Sequence, residues 1–181
     1  MVDLGKILSL AGSIALPVGI GFAGAIWTID EARGPWYRGL KKPRWNPPNR
    51  LFGPVWTVIY TTMGVASWMV ARKGGAGAKT ALAVYGANLV FNAAWSPLFF
   101  RYHKLKIAMS DMVLLWATTA ACVTTFRSVS PAASNLMVPY LCWVSFAGVL
   151  NGRIMIDNEG RSEDEITKAG QAAMDQDKKT H

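Results

Sequence analysis

The chain has 181 residues, of which 51% are hydrophobic and 17% charged, with a formal net charge of +8. Its charges leave long gaps: none falls between Lys6 and Asp30, between Arg50 and Arg72, or between Lys79 and Arg101. A soluble helix of that length shows a charged face, whereas about 20 apolar residues cross a bilayer core of about 30 Å, so an ordinary soluble domain is excluded. Backbone polar groups in lipid must be satisfied within each segment, which requires an all-α bundle in a single membrane domain. The basic residues sit in short stretches beside apolar spans, which fits topology and headgroup contact rather than nucleic acid. Cys122 and Cys142 fall inside spans without a CxxC pairing, and His103 and His181 are the two histidines. Neither a disulfide framework nor a metal cluster is expected.

The first span is expected over residues 7–27. Lys6 ahead of it resembles the start of a signal peptide, but the apolar run is longer than a usual h-region. Gly19 and Ala23, like Gly21 and Ala25, place small residues four apart and permit close helix contact. A long loop follows over residues 28–50. It contains Pro35, Pro43, Pro47 and Pro48, so it cannot be one helix. Trp36, Tyr37 and Trp45 are interleaved there with Arg38, Lys41, Lys42, Arg44 and Arg50. Two readings stand: a shaped lid docked on helix ends, or an aromatic belt with basic anchors.

The second span is expected over residues 51–71, with Trp56, Tyr60 and Met63 on one face. The third, over 80–100, aligns Tyr85, Asn88, Asn92 and Trp95. Two asparagines in a lipid-crossing helix need partners, so this face looks into the bundle or a cavity. Ala83 and Ala87 offer small side chains for close approach of a second helix, the expected homodimer contact. The fourth span, over 107–126, carries Asp111 one turn inside. That acid is either functional or a structural group favouring the helix dipole or pairing with Lys104 or Lys106. The fifth, over 131–152, aligns Tyr140, Trp143 and Ala147, with Gly148 and Gly152 as a GxxxG. Residues 1–156 form the membrane domain; 157–181 read as a polar, solvated or frayed helix.

Five spans put the termini on opposite sides. Arg33, Arg38, Lys41, Lys42, Arg44 and Arg50 then share a side with Arg101, Lys104, Lys106 and the basic tail. The other side carries only Lys6, Arg72, Lys73, Lys79 and Arg127. The positive-inside rule places the long loop and the C-terminus in the cytosol. No nucleophile–base pair or phosphate loop stands out. The feature with chemical content is the lining formed by Trp56, Tyr60, Asn88, Asn92, Trp95, Tyr140 and Trp143, which suits a flat apolar ligand oriented by a few amides.

The stretches WYRGLKKPRWNPP, FGPVWTVIY, NLVFNAAWSPLFF and PYLCWVSFAGVLN resemble the translocator protein family, also called tryptophan-rich sensory protein or peripheral benzodiazepine receptor. The resemblance runs in order from about Trp36 to Asn151. It implies a five-transmembrane-helix bundle, usually dimeric, capped by the Pro/Trp-rich loop between helices 1 and 2. It also implies binding of porphyrins such as protoporphyrin IX or haem, of cholesterol, and of benzodiazepine-type ligands, with no cofactor required. The implied lining includes Trp56, Asn92, Trp95, Trp143, Ala147 and Leu150. Trp56 and Trp143 match tryptophans implicated in porphyrin breakdown in bacterial members. Asn88 replaces a Gln of animal members, Ile107 a tryptophan of mammalian ones, and Gly152 the central Tyr of the mammalian cholesterol motif. The sterol motif therefore lacks its aromatic centre in this chain.

Three functions follow: porphyrin transport or sensing, photo-oxidative porphyrin degradation, and a ligand-regulated membrane scaffold. A lined cavity without acid–base machinery favours the first. The expected site of action is the mitochondrial outer membrane, with the endoplasmic reticulum and the bacterial envelope as alternatives.

Overall fold

The computed structural model describes residues 3–179; the side chain of Trp27 and all of His181 lie outside the described residues. The described residues form seven α-helices and no strand. These are α1 (Leu4–Glu31), α2 (Pro35–Gly39), α3 (Asn49–Lys73), α4 (Gly75–Ser96), α5 (Leu105–Val129), α6 (Pro131–Asp157) and α7 (Glu163–Lys179). A π-helical turn, Pro97–Arg101, extends α4. Helices α1, α3 and α5 overrun the expected spans at both ends, α4 starts earlier but ends at Ser96, and α6 starts at Pro131 as expected and runs on to Asp157. Residues 28–31, read as loop, continue α1, because the first helix-breaking signals are Gly34 and Pro35.

Local signals account for the boundaries. Asp3 caps α1 by accepting from the Gly5 and Lys6 amides. Gly74, at φ 66°, ends α3 in a conformation that suits glycine. Ser130 closes α5 and caps α6 through the Ala133 amide, with Pro131 at the first helical position. Helices α1, α5 and α6 are long and apolar enough to cross a membrane, over Leu4–Ile26, Leu105–Val129 and Pro131–Asp157.

The long helices pack as a ring in the order α1, α3, α6, α5, α4 and back to α1. Close approach of α1 and α3 needs glycine on both helices. A Cβ on Gly21 would lie 2.1 Å from the Tyr60 ring, and one on Gly64 2.5 Å from the Ile14 Cα. The neighbouring Gly19 meets nothing within 4 Å, so only one of the two expected small-residue pairs includes a tight glycine. A Cβ on Gly148 or Gly152 would lie 3.6 Å from Met112 or 3.7 Å from Met109 of α5, ordinary contact distances, so the GxxxG faces α5 within the protomer.

Two apolar clusters fill the ring. The larger lies mid-bundle around Met63, Tyr85, Phe126, Met137 and Tyr140. The other sits at the end bearing the long loop and joins Trp36, Tyr37, Leu40, Phe99, Phe100, Leu150, Ile154 and Ile166. Ile166 belongs to α7, so the C-terminal segment is no free tail: α7 packs on α2 with Ile166 and Gly170 buried.

Two other expectations change. Asp111 is buried and pairs with neither Lys104 nor Lys106; its Oδ2 has no hydrogen-bond partner, and Lys106 pairs with Glu159 at 3.1 Å. Cys122 is buried as expected, but Cys142 is exposed.

Candidate functional site

Helical spacing on α3, α4 and α6 brings the aromatic and amide residues together. The Tyr60 hydroxyl donates to Asn92 Oδ1 at 3.0 Å, and Asn92 Nδ2 donates to the Tyr140 hydroxyl at 3.0 Å. The Tyr140 hydroxyl donates to Asn88 Oδ1 at 3.3 Å, and Asn88 Nδ2 donates to Thr118 and Thr119 Oγ1 at 3.1 and 2.8 Å. This chain links four helices and satisfies each amide in a low-dielectric setting, where an unpaired amide is costly. Asn88 and Tyr140 are fully buried. A ligand that reached these amides would have to replace bonds they already make.

Trp56 extends the cluster outward. Its ring stacks on Tyr60 with centroids 5.1 Å apart and meets Tyr140 and Trp143 edge-on at 6.2 and 6.4 Å. Trp143 in turn contacts Phe52 at 5.8 Å and Phe146 at 5.5 Å. Phe146 leads to the loop, because Trp45 packs on it at 5.7 Å. Trp95 touches both apolar clusters, stacks on Phe99 at 5.1 Å, and meets Phe100 edge-on. Ala147 packs on the mid-bundle cluster, while Leu150 belongs to the loop-end cluster. The expected lining thus divides into a hydrogen-bonded centre, an aromatic wall around Trp56 and Trp143, and an aromatic end around Trp95.

A groove of about 590 Å³ lies between α3 and α6, lined by Pro54, Val55, Val58, Ile59, Pro139, Cys142, Trp143 and Phe146. Its walls are almost wholly apolar, and it opens at the outer face of the bundle, where Val58 and Cys142 are exposed. Its volume is of the size that small-molecule sites occupy. Both in-helix prolines, Pro54 and Pro139, stand in its wall. Each lacks an amide N–H and frees a carbonyl one turn earlier. Sequence reasoning missed Phe52, Phe146 and Cys142, although Phe52 is one turn from Trp56, and Phe146 one turn from Trp143.

The tryptophans differ in how their N–H groups are satisfied. Trp68 donates to Ser9 at 3.0 Å and Trp116 to Ser145 at 2.8 Å. The indole N–H groups of Trp95 and Trp143 are buried with no partner among the described residues. Buried indoles usually find an acceptor. These two fall at the aromatic end and at the groove wall.

The loop residues assigned to a lid lie over the aromatic end. Trp36 and Tyr37 are buried, Trp36 meeting Phe99 edge-on at 5.6 Å and Tyr37 meeting Phe100 at 5.6 Å. Trp45 remains 47% exposed, and Pro47 and Pro48 lead into α3, with Pro48 at its N-cap. Lys42 folds back over the Tyr37 ring, 4.3 Å from the centroid, and donates to the carbonyls of Tyr37 and Leu40. Burial, with Arg38 adding to it, holds the Lys42 ammonium below its ordinary range.

Ala83 and Ala87 are exposed on α4 beside Ala76, Gly86, Val90 and Ala93, and a Cβ on Gly86 would meet nothing within 4 Å. No group of three or more metal-ligating side chains occurs among the described residues.

The family model described as TspO/MBR matches residues 13–156. The chain is 39% identical to the translocator protein of Bos taurus over 153 residues, covering 83% of this chain and 90% of the relative. It is 41% identical to the tryptophan-rich protein TspO of Chlorobaculum tepidum over 155 residues, covering 83% and 96%. It is 39% identical to the tryptophan-rich sensory protein of Cereibacter sphaeroides over 140 residues, covering 77% and 85%. With apolar helices long enough to cross a bilayer and this match along most of its length, the chain is an integral membrane protein belonging to the TspO/MBR family.

Proposed function

We propose that the protein binds porphyrins such as protoporphyrin IX and haem, and other flat apolar ligands including sterols, and acts in their transport or sensing. The observation that carries this reading is the unpaired, buried indole N–H of Trp143 in the wall of an apolar groove, flanked by Trp56 and Phe146. The faces of these rings suit a planar ring system. An acceptor on the ligand would satisfy the stranded donor. In this reading all five long helices cross the bilayer, with the loop end in the cytosol, and two copies pair through α4. The reading puts the protein in the mitochondrial outer membrane, with the endoplasmic reticulum and the bacterial envelope as alternatives.

Protoporphyrin IX should quench tryptophan fluorescence saturably. The double variant Trp95→Ala, Trp143→Ala should weaken that titration by about tenfold, or about 1.4 kcal/mol. An unchanged affinity in a folded double variant removes the proposed site. The edge-on pair Trp56 and Trp143 supports a second reading, photo-oxidative porphyrin degradation with the two indoles as redox-active groups. Product analysis after illumination in air distinguishes the two: intact porphyrin supports transport or sensing, and ring-opened product that disappears in Trp143→Phe supports catalysis.

A further inference from the structure

Helix α7 and the loop helix α2 touch backbone to backbone. A Cβ on Gly39 would lie 1.8 Å from the Ile166 carbonyl oxygen, and one on Gly170 1.8 Å from that of Pro35. No side chain fits at either position, so the contact requires glycine on both helices. Polar groups flank this crossing. The Asn158 amide accepts from the Lys41 N–H at 3.0 Å and donates to the Lys41 carbonyl at 2.9 Å, gripping the loop backbone at both of its polar groups. Arg161 donates to the Gly39 carbonyl at 3.1 Å and to Asn158 Oδ1 at 2.7 Å. Ile166 inserts between the helices and is 3% exposed.

His103 adds a third attachment. Its ring stacks on Trp36 with centroids 3.9 Å apart, and its Nδ1 lies 2.7 Å from Glu163 at the start of α7. The carboxylate can only accept, so Nδ1 carries the proton of that bond. Nε2 is 3.6 Å from Glu31 at the end of α1. One imidazole thus joins the end of α1, the loop, the turn after α4 and the first turn of α7. Among the described residues His103 is the non-glycine residue at positive φ, 53°, a sparsely populated conformation held by these contacts.

From this we infer that α7 is a strap that holds the 35–42 segment closed over the aromatic end of the bundle, so that ligand exchange requires α7 to lift from α2. The loop it holds continues to Trp45, which packs on Phe146 in the groove wall. The strap itself is attached through one buried isoleucine, a glycine crossing, the Glu163–His103 contact and the exposed ion pair of Arg38 with Asp177 at 3.0 Å. A segment held in that way opens as a local unit at lower cost than the core. The inference regulates the ligand site proposed above and rests on that reading only for its consequence, not for the strap itself.

Hydrogen exchange on the full chain without ligand tests the strap directly. Gly170→Ala should raise exchange in both 35–42 and 163–170 by about tenfold while α3, α5 and α6 keep their protection. Ala169→Leu, at the exposed neighbouring position, should change neither segment. Asn158→Ala, which keeps both glycines, should speed exchange at residues 40–42. Retained protection of 35–42 in Gly170→Ala overturns the strap whatever Asn158→Ala does, because Asn158 lies before α7. The consequence is read separately in a Cys142→Ser background with Arg38→Cys and Asp177→Cys joined by a short bis-maleimide. Protoporphyrin IX should then dissociate about tenfold more slowly than from the unjoined pair. Equal dissociation rates overturn gating by α7. Absence of any porphyrin binding overturns the ligand reading, while the exchange experiment still decides the strap.

Discussion

Asn88 and Asn92 face inward for the same reason that Tyr60 and Tyr140 do: each supplies the partner the others need away from water. Asn88 makes the larger set of contacts, donating to two threonines and accepting from Tyr140. Asn88→Ala removes the donor to Thr119 and the acceptor for the Tyr140 O–H, while Tyr140 still accepts from Asn92, and should cost about 1–2 kcal/mol. A reversible unfolding titration in detergent measures that loss, and a neutral result would mean the chain of bonds contributes nothing net. Glu31 provides a pH-dependent counterpart outside the membrane spans. Burial raises its pKa above the ordinary glutamate value, His103 lowers it, and Glu163 raises it again. A raised folded-state pKa contributes stability that is present below the unfolded value and is lost as pH rises through the folded one. Glu31→Gln should therefore flatten the stability profile just above pH 4.5, and an unchanged slope there would assign it to other carboxylates.

At the scale of the helix pair, Gly21 lets α1 approach α3 closely enough to pin the Tyr60 ring. Gly21→Ala must displace that ring, which is stacked on Trp56 and bonded to Asn92. The expected cost is about 1–3 kcal/mol. Removing the obstacle with Tyr60→Ala in the same chain should cost less than the two single changes summed, because the residues are in contact. Strict additivity would mean the backbone moves instead of the ring. Helix α4 poses the converse case, since its row of Ala83, Gly86, Ala87 and Val90 is exposed and a Cβ on Gly86 would meet nothing within 4 Å among the described residues. Ala83→Leu with Ala87→Leu should keep a second α4 from close approach and reduce cross-linked dimer in liposomes. An undiminished dimer would move the interface elsewhere.

For the whole molecule, the loop end is where separate parts meet: the ends of α1, α4 and α6, the loop and α7 converge around Trp36 and His103. Prolines 47 and 48 set how the loop enters α3. Replacing both with Gly loosens that entry without removing an aromatic side chain. Ligand dissociation should accelerate more than association, with helical content unchanged. Stopped-flow rates measure this, and equal off-rates would make the loop a static cap.

The membrane class, the helical architecture and the aromatic stripes were legible in the residues themselves. Uncharged runs of bilayer length and side chains three or four apart are local properties that any helix built from them must express. The family resemblance lay in contiguous motifs and was equally readable. The rest depended on which helices become neighbours. That Asn88 and Asn92 need partners was readable, but not which residues those are, because the partners of Tyr60, Asn88, Asn92 and Tyr140 lie 27 or more residues away. The α3–α6 groove arises where two proline-bearing faces meet, and neither face announces a cavity alone. The tail looked solvated because its composition is polar; it docks through Ile166 and Gly170 at a close crossing that Gly39 permits, and through Glu163 on His103. Periodicity assigns a side chain to a face of its own helix, whereas the order of helices around the ring assigns that face to a partner, to lipid or to a ligand.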